Sequence, residues 1–190
     1  MPDFKTLLQE HLDLARLLDI TALQNQLDRA VVITSRALEK ELPVLVLGNG
    51  GSAADAQHIA GELVGKFLKE RRALNVQCLS SNTAVLTAWS NDVSFDTIFA
   101  RQVEAHGATG GVLWAISTSG RSSNVLKAAR AARARGMQVI ALTGSGGADL
   151  APLSDVLIEA PTASTPRVQE FHILYYHYLC QQIEARLCGN

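Results

Sequence analysis

A chain of 190 residues is long enough to bury a core of its own and suits one domain spanning 1–190. Its formal net charge of −1 removes the overall electrostatic case for nucleic acid or an anionic membrane as partner. Cys78, Cys180 and Cys188 are odd in number and widely spaced, which excludes a zinc-type cysteine pair and points to free thiols in a reducing compartment. Asp3, Glu10 and Asp13 deny the N-terminus the basic start of a signal peptide, and no apolar run is long enough to span a bilayer. A cytoplasmic location is expected.

Residues 3–19 place Phe4, Leu8, Leu12, Ala15 and Leu18 on one face of a helix, and 22–41 place Leu23, Leu27, Ala30, Val31, Thr34 and Leu38 on another. Two helices before the first strand exceed what one sheet needs. The pair 1–41 is therefore expected to pack partly against another subunit, with 42–190 forming the α/β core. Val44 to Leu47 is short and wholly apolar, as a parallel strand covered on both faces would be. It runs into Gly48-Asn49-Gly50-Gly51-Ser52, where glycines let an anion approach the backbone. Ser52 with Asp55 three residues on is a capping-box pattern, which predicts a helix beginning at Ser52.

Strands then follow at 75–79, 111–116, 138–142 and 155–159. Helices are expected at 83–90, 94–106, 121–135 and 167–188, with a turn at Asn91-Asp92 and a loop at 161–166. This alternation predicts a doubly wound five-stranded parallel sheet. Lys66, Lys69, Arg71 and Arg72 read as cations complementing a helix end. Arg121, Lys127, Arg130, Arg133 and Arg135 read as a solvated face.

Ligands of such sheets bind beyond the carboxyl ends of the strands. Three polar loops lie there, 48–52, 117–122 and 143–147. Ser117, Thr118, Ser119 and Ser122 set four hydroxyls around Gly120 at a helix start, a way to hold phosphate without lysine or arginine. The glycine spacing of 48–52 fits neither the dinucleotide nor the Walker pattern. Asp55, His58 and Glu62 share one helical face, and His58 with Glu62 can chelate a metal or set a carboxylate base beside an imidazole. His172 and His177 point about 140° apart on the closing helix and are not expected to serve one site together. Spacing does not choose between them.

Gly48 to His58, Ser117-Thr118-Ser119-Gly120 and Thr165-Pro166-Arg167-Val168-Gln169-Glu170 resemble the sugar isomerase (SIS) domain and, more narrowly, the phosphoheptose isomerase family. The resemblance covers nearly the whole chain. It implies a homotetramer with active sites between subunits, acting on a phosphorylated heptose. Ser52, Ser117, Thr118, Ser119 and Ser122, with Gly50 and Gly51, would bind phosphate and sugar. Asn49, Asn91, Asp92 and Gln169 would contact the sugar, and Asp55 would orient a neighbour. Glu62 would be the base and His177 the acid. His58, Glu62, Gln169 and His177 match the zinc ligands of some members, so the resemblance selects His177 over His172. Related scaffolds that bind a replication initiator lack the counterparts of Glu62 and His177; a sugar-phosphate sensor without turnover is the remaining alternative.

Overall fold

The computed structural model describes residues 3–147 and 149–188. Helices α1 (Phe4–Arg16) and α2 (Ile20–Glu39) lead into strand β1 (Val44–Gly48) and helix α3 (Gly51–Val64). Strand β2 (Val76–Cys78) is followed by α4 (Thr83–Asp92) and α5 (Ile98–His106). Then come β3 (Val112–Ser117), α6 (Ser123–Ala134), β4 (Gln138–Thr143), β5 (Val156–Glu159) and the long α7 (Thr165–Cys188). Every strand pair is parallel, in the order β2-β1-β3-β4-β5, as a doubly wound sheet requires. The order reverses between β1 and β3, which opens a crevice at their carboxyl ends. Gly48 pairs with Ile116, so Asn49 and Ser117 leave the sheet side by side.

Alternation along the strands sorts the core into two layers. Val44, Val46, Val112, Trp114, Ile116, Ile140 and Leu142 face α2, α3 and α7. Leu45, Leu47, Leu113, Ala115, Val139 and Ala141 face α5 and α6. The Trp114 indole donates to Thr34 Oγ1 at 3.1 Å, so the largest buried side chain leaves no unmet donor. Cys78 and Cys180 are buried free thiols and Cys188 is exposed. Among the described residues no helix is long and apolar enough to cross a membrane.

Three local expectations are corrected. Helix α3 starts at Gly51, and its N-cap is Gly50 at φ 55°, without a side-chain cap. Ser52 falls inside the first turn because β1 enters the helix so tightly that a Cβ on Gly48 would lie 2.5 Å from the Ser52 carbonyl oxygen. Asn91 and Asp92 form the last turn of α4 rather than a turn after it, since the N-cap bond from Asn82 starts a helix that runs to its full ten residues. The segment from Ser94 opens with a 3-10 turn, Phe95–Thr97, and α5 proper begins at Ile98.

The basic stretch 66–72 lies beyond the end of α3, and one of its cations does complement that end: Arg71 donates through Nη2 to the Glu62 carbonyl at 2.7 Å and through Nη1 to the Gly65 carbonyl at 3.0 Å. Arg71 is buried against Glu184 of α7, Nε to Oε1 at 3.1 Å. Glu184 also accepts from the backbone N–H groups of Phe67, Leu68 and Lys69 at 3.0, 2.6 and 2.8 Å. Burial alone would raise this carboxyl, but the three amides and Arg71 hold it below the usual carboxylate range. One carboxylate thus moors the whole 67–71 segment to α7.

Candidate active site

The anion-type loops meet at the carboxyl edge of the sheet. Ser117 Oγ and Ser122 Oγ are 3.1 Å apart, and Ser119 Oγ accepts from the Arg121 amide at 3.2 Å. Gly120, at φ 65°, sits so close to Gly147 that a Cβ would lie 2.7 Å from its Cα. The Gly144 amide donates to the Thr118 carbonyl at 2.9 Å, which stitches the loops after β3 and β4 together. Ser52 and Ser117 are buried, Thr118 and Ser122 half-buried, and Gly50, Gly51 and Ser119 exposed. The set therefore runs from buried to exposed positions along this edge.

Across the switch point, Asn49 and Asn124 exchange two amide hydrogen bonds, of 2.8 and 2.9 Å. Asn124 was not anticipated. Its signal in the sequence is a polar residue among Val125, Ala128 and Ala129 on the buried face of α6. The pair clasps the starts of α3 and α6 and occupies one donor and one acceptor of Asn49. Asn91 and Asp92 are exposed on α4, where the Asn91 amide donates to the Asp92 carboxylate at 2.8 Å. Among the described residues no hydrogen bond joins them to the loops 49–52 or 117–122.

Helices α3 and α7 run side by side in the same direction. At their starts Gly51 faces Gln169 so closely that any Cβ at 51 would overlap the glutamine amide. Further along, at 1.5 Å per residue about 10 Å for His58 and about 16 Å for Glu62, α3 presents both side chains to α7. His58 Nε2 lies 3.0 Å from Glu62 Oε1. The His58 and His177 rings are 5.0 Å apart and nearly perpendicular, and Phe67 packs 5.7 Å from His177. The donor atoms of His58, Glu62 and His177 all lie within 4.8 Å of one another. Two imidazole nitrogens and a carboxylate so disposed fit a zinc ion. Gln169, at Gly51, lies about 12 Å before His177 along α7.

Behind this cluster the Tyr176 hydroxyl is 2.9 Å from His58 Nδ1. Asp55 lies beside it, its carboxyl raised by burial, against which His58 and Tyr176 act. Sequence reasoning passed over Tyr176 as one more aromatic on an apolar helix. His172 takes no part. It is fully buried, its Nε2–H donates to the Thr143 carbonyl at 3.1 Å, and burial pushes its pKa down to about 4. A cleft of about 490 Å³ lies elsewhere, between the first two helices and the loop after β4, lined by Leu18, Leu23, Ser145 and Glu159 among others. It contains none of the cluster, and the donor chemistry, not the size of the hollow, marks the site.

The SIS domain model matches residues 13–144. Over 160 residues the chain is 51% identical to the phosphoheptose isomerase of Rhodospirillum rubrum, spanning 84% of this chain and 85% of that one. The chain belongs to the SIS-domain family, among the phosphoheptose isomerases. Solved phosphoheptose isomerases share the fold of this isomerase over almost their whole length. That from Neisseria gonorrhoeae superposes at a TM-score of 0.83 with 39% identity, covering 94% of this chain and 92% of its own. That from Francisella tularensis gives 0.85 and 35%, covering 95% and 94%. The match ends at Gly144, so α7, which brings Gln169, Tyr176 and His177 to the cluster and packs into the same core, lies beyond the matched residues.

Proposed function

We propose that this isomerase interconverts D-sedoheptulose 7-phosphate and D-glycero-D-manno-heptose 7-phosphate, supplying heptose for the lipopolysaccharide core. The observation that carries the reading is the approach of Glu62 and His177 from two different helices, one of which, α3, starts where Asn49 is bonded to Asn124 just after the serine-rich turn. The Ser52, Ser117, Thr118, Ser119 and Ser122 hydroxyls, with the Gly50 and Gly51 amides, hold the phosphate. Two helix N-termini add favourable dipoles. Along α3, at 1.5 Å per residue, His58 lies about 9 Å and Glu62 about 15 Å beyond Ser52. Asn49, Asn91, Asp92 and Gln169 address the sugar hydroxyls.

Ketose and aldose differ by one proton moved between adjacent carbons. The Glu62 carboxylate takes a proton from C1, giving an enediol, and returns it to C2. His177 moves the matching proton between O2 and O1, so that one carbonyl closes as the other opens. His58, Glu62 and His177 would hold a zinc ion, with Gln169 a fourth candidate from the family resemblance; bound there, zinc supplies carbonyl polarisation or a structural anchor.

The His58 and Glu62 side chains are 46% and 23% exposed in the single chain, more open than proton transfer at carbon favours. With the apolar outer stripe of α1, this supports closure of the site by further copies, in a cytoplasmic homotetramer assembled through the 1–41 helical pair. The test is Glu62→Gln with sedoheptulose 7-phosphate in deuterated water. The variant is expected to lose exchange of the carbon-bound proton while still binding the sugar phosphate. Undiminished exchange would remove Glu62 from the mechanism.

A further inference from the structure

Tyr176 stands where the chemistry above has no use for it. Its side chain is buried, yet its hydroxyl faces His58 Nδ1 at 2.9 Å, across the ring from the nitrogen that meets Glu62. The same hydroxyl neighbours the Asp55 carboxylate. Asp55 is 8% exposed, and its Oδ2 has no hydrogen-bond partner. Asp55, Tyr176 and His58 therefore form a row in which the middle member has a single proton and two acceptors beside it.

The two ways of spending that proton differ in what they leave unmet. Donated to His58 Nδ1, it forces the ring's own proton onto Nε2 and leaves a buried carboxylate oxygen without a donor. Donated to Asp55, it lets a protonated Nδ1 donate in turn to the tyrosine oxygen; the buried row is then satisfied, and the one opposed pair, Nε2 and the Glu62 carboxylate, lies at the solvent-open end where water or a cation can reach it. An unmet buried acceptor is costly, and more so when it is charged.

We infer that Tyr176, anchored by Asp55, is a positioning residue that fixes His58 as the Nδ1–H tautomer and presents the Nε2 lone pair to Glu62 and His177. Histidines that serve metals commonly have their second nitrogen held by a carboxylate or carbonyl. Here a tyrosine is interposed because Asp55, a turn before His58 on the same helix, is turned inward under the ring. An Nε2 lone pair 3.0 Å from a carboxylate oxygen leaves two acceptors facing each other, an arrangement completed by a cation between them. The inference rests on His58, Glu62 and His177 being the working centre.

The test uses [15N]histidine-labelled, metal-free protein at about pH 8, above the usual imidazole range, with the His58 signals assigned through His58→Gln. The wild-type ring is expected as the Nδ1–H tautomer. In Tyr176→Phe the ring should shift toward Nε2–H, and Zn²⁺ affinity, read by competition with a chelator, should fall about 10–100-fold. A wild-type ring found as Nε2–H, or a His58 spectrum and Zn²⁺ affinity both unchanged in Tyr176→Phe, overturns the inference. Should Tyr176→Phe fail to fold, the wild-type spectrum decides alone. A wild type that binds no Zn²⁺ strikes the metal reading only, because the tautomer is measured without metal.

Discussion

His172 and His177 stand five residues apart on one helix and meet opposite fates. His177 turns outward to His58 and Glu62, whereas His172 is sealed beneath the sheet edge with its Nδ1 unpartnered. Burial lowers the His172 pKa to about 4, against about 6.5 when the chain is unfolded. Between those values the unfolded chain binds the extra proton, so the neutral ring stabilises the fold fully above pH 6.5. That contribution is lost as pH falls toward 4, and amounts to about 3 kcal/mol over the window. Urea unfolding of wild type and His172→Gln at pH 7 and pH 4.5 should show a less stable variant whose stability declines less on acidification. Equal declines would place the acid sensitivity elsewhere. Alternatives that spacing left open between these two histidines were thus decided by burial, which a helical wheel does not contain. Tyr176 was illegible for the same reason: nothing in an aromatic-rich helix says which hydroxyl will be trapped beside a carboxylate.

At the scale of elements, sheet and helices were readable because β1 is apolar throughout and β3 apolar up to its last residue, Ser117, and a glycine- or serine-rich turn follows each of them and β4. The segment between α3 and β2 was readable only in part. Arg71 does serve as a helix-end cation, but only the fold brings Glu184 from 113 residues away to it. The Ser52–Asp55 pattern failed, because a local capping signal is overridden when the glycine turn sinks Ser52 and Tyr176 draws Asp55 inward. The Glu184 mooring has a measurable consequence. Glu184→Ala removes the carboxylate that accepts from Arg71 Nε and from the Phe67, Leu68 and Lys69 amides, while the Arg71 Nη atoms keep the Glu62, Gly65 and Arg72 carbonyls; removal of one partner from such a buried pair costs about 3–5 kcal/mol. Denaturant unfolding of Glu184→Ala should show that loss, and the 67–71 amides should exchange hydrogen much faster. An unfolding free energy within about 0.5 kcal/mol of wild type, the range of surface substitutions, would refute the mooring. The folded carboxyl lies below its ordinary value, so its contribution is present at neutral pH and lost on acidification through the carboxylate range.

For the whole molecule, the question is what covers α1. Its inner face is fixed: Leu14 and Ala15 pack on the core, and His11 bonds Glu170 at 2.9 Å and stacks on Phe171. Its outer face carries Phe4, Leu8 and Leu12, which are 79%, 49% and 45% exposed and spaced four apart, followed by Leu17 and Ile20. A helix held this firmly by Leu14, Ala15 and His11 while the rest of its apolar stripe stays uncovered fits a second copy of the chain better than open water. Because His11 and Glu170 tie α1 to the start of α7, next to Gln169, assembly through α1 and order at the site should rise and fall together. Leu8→Glu combined with Leu12→Lys removes the stripe but adds a favourable i,i+4 ion pair, so the helix itself is preserved. Sedimentation velocity should show the doubly substituted chain as a smaller species than wild type at equal concentration. Isomerase activity should fall in step with dissociation on dilution. An unchanged assembly would clear α1 of the interface, and a dissociated chain with full activity would show that one copy closes the site by itself.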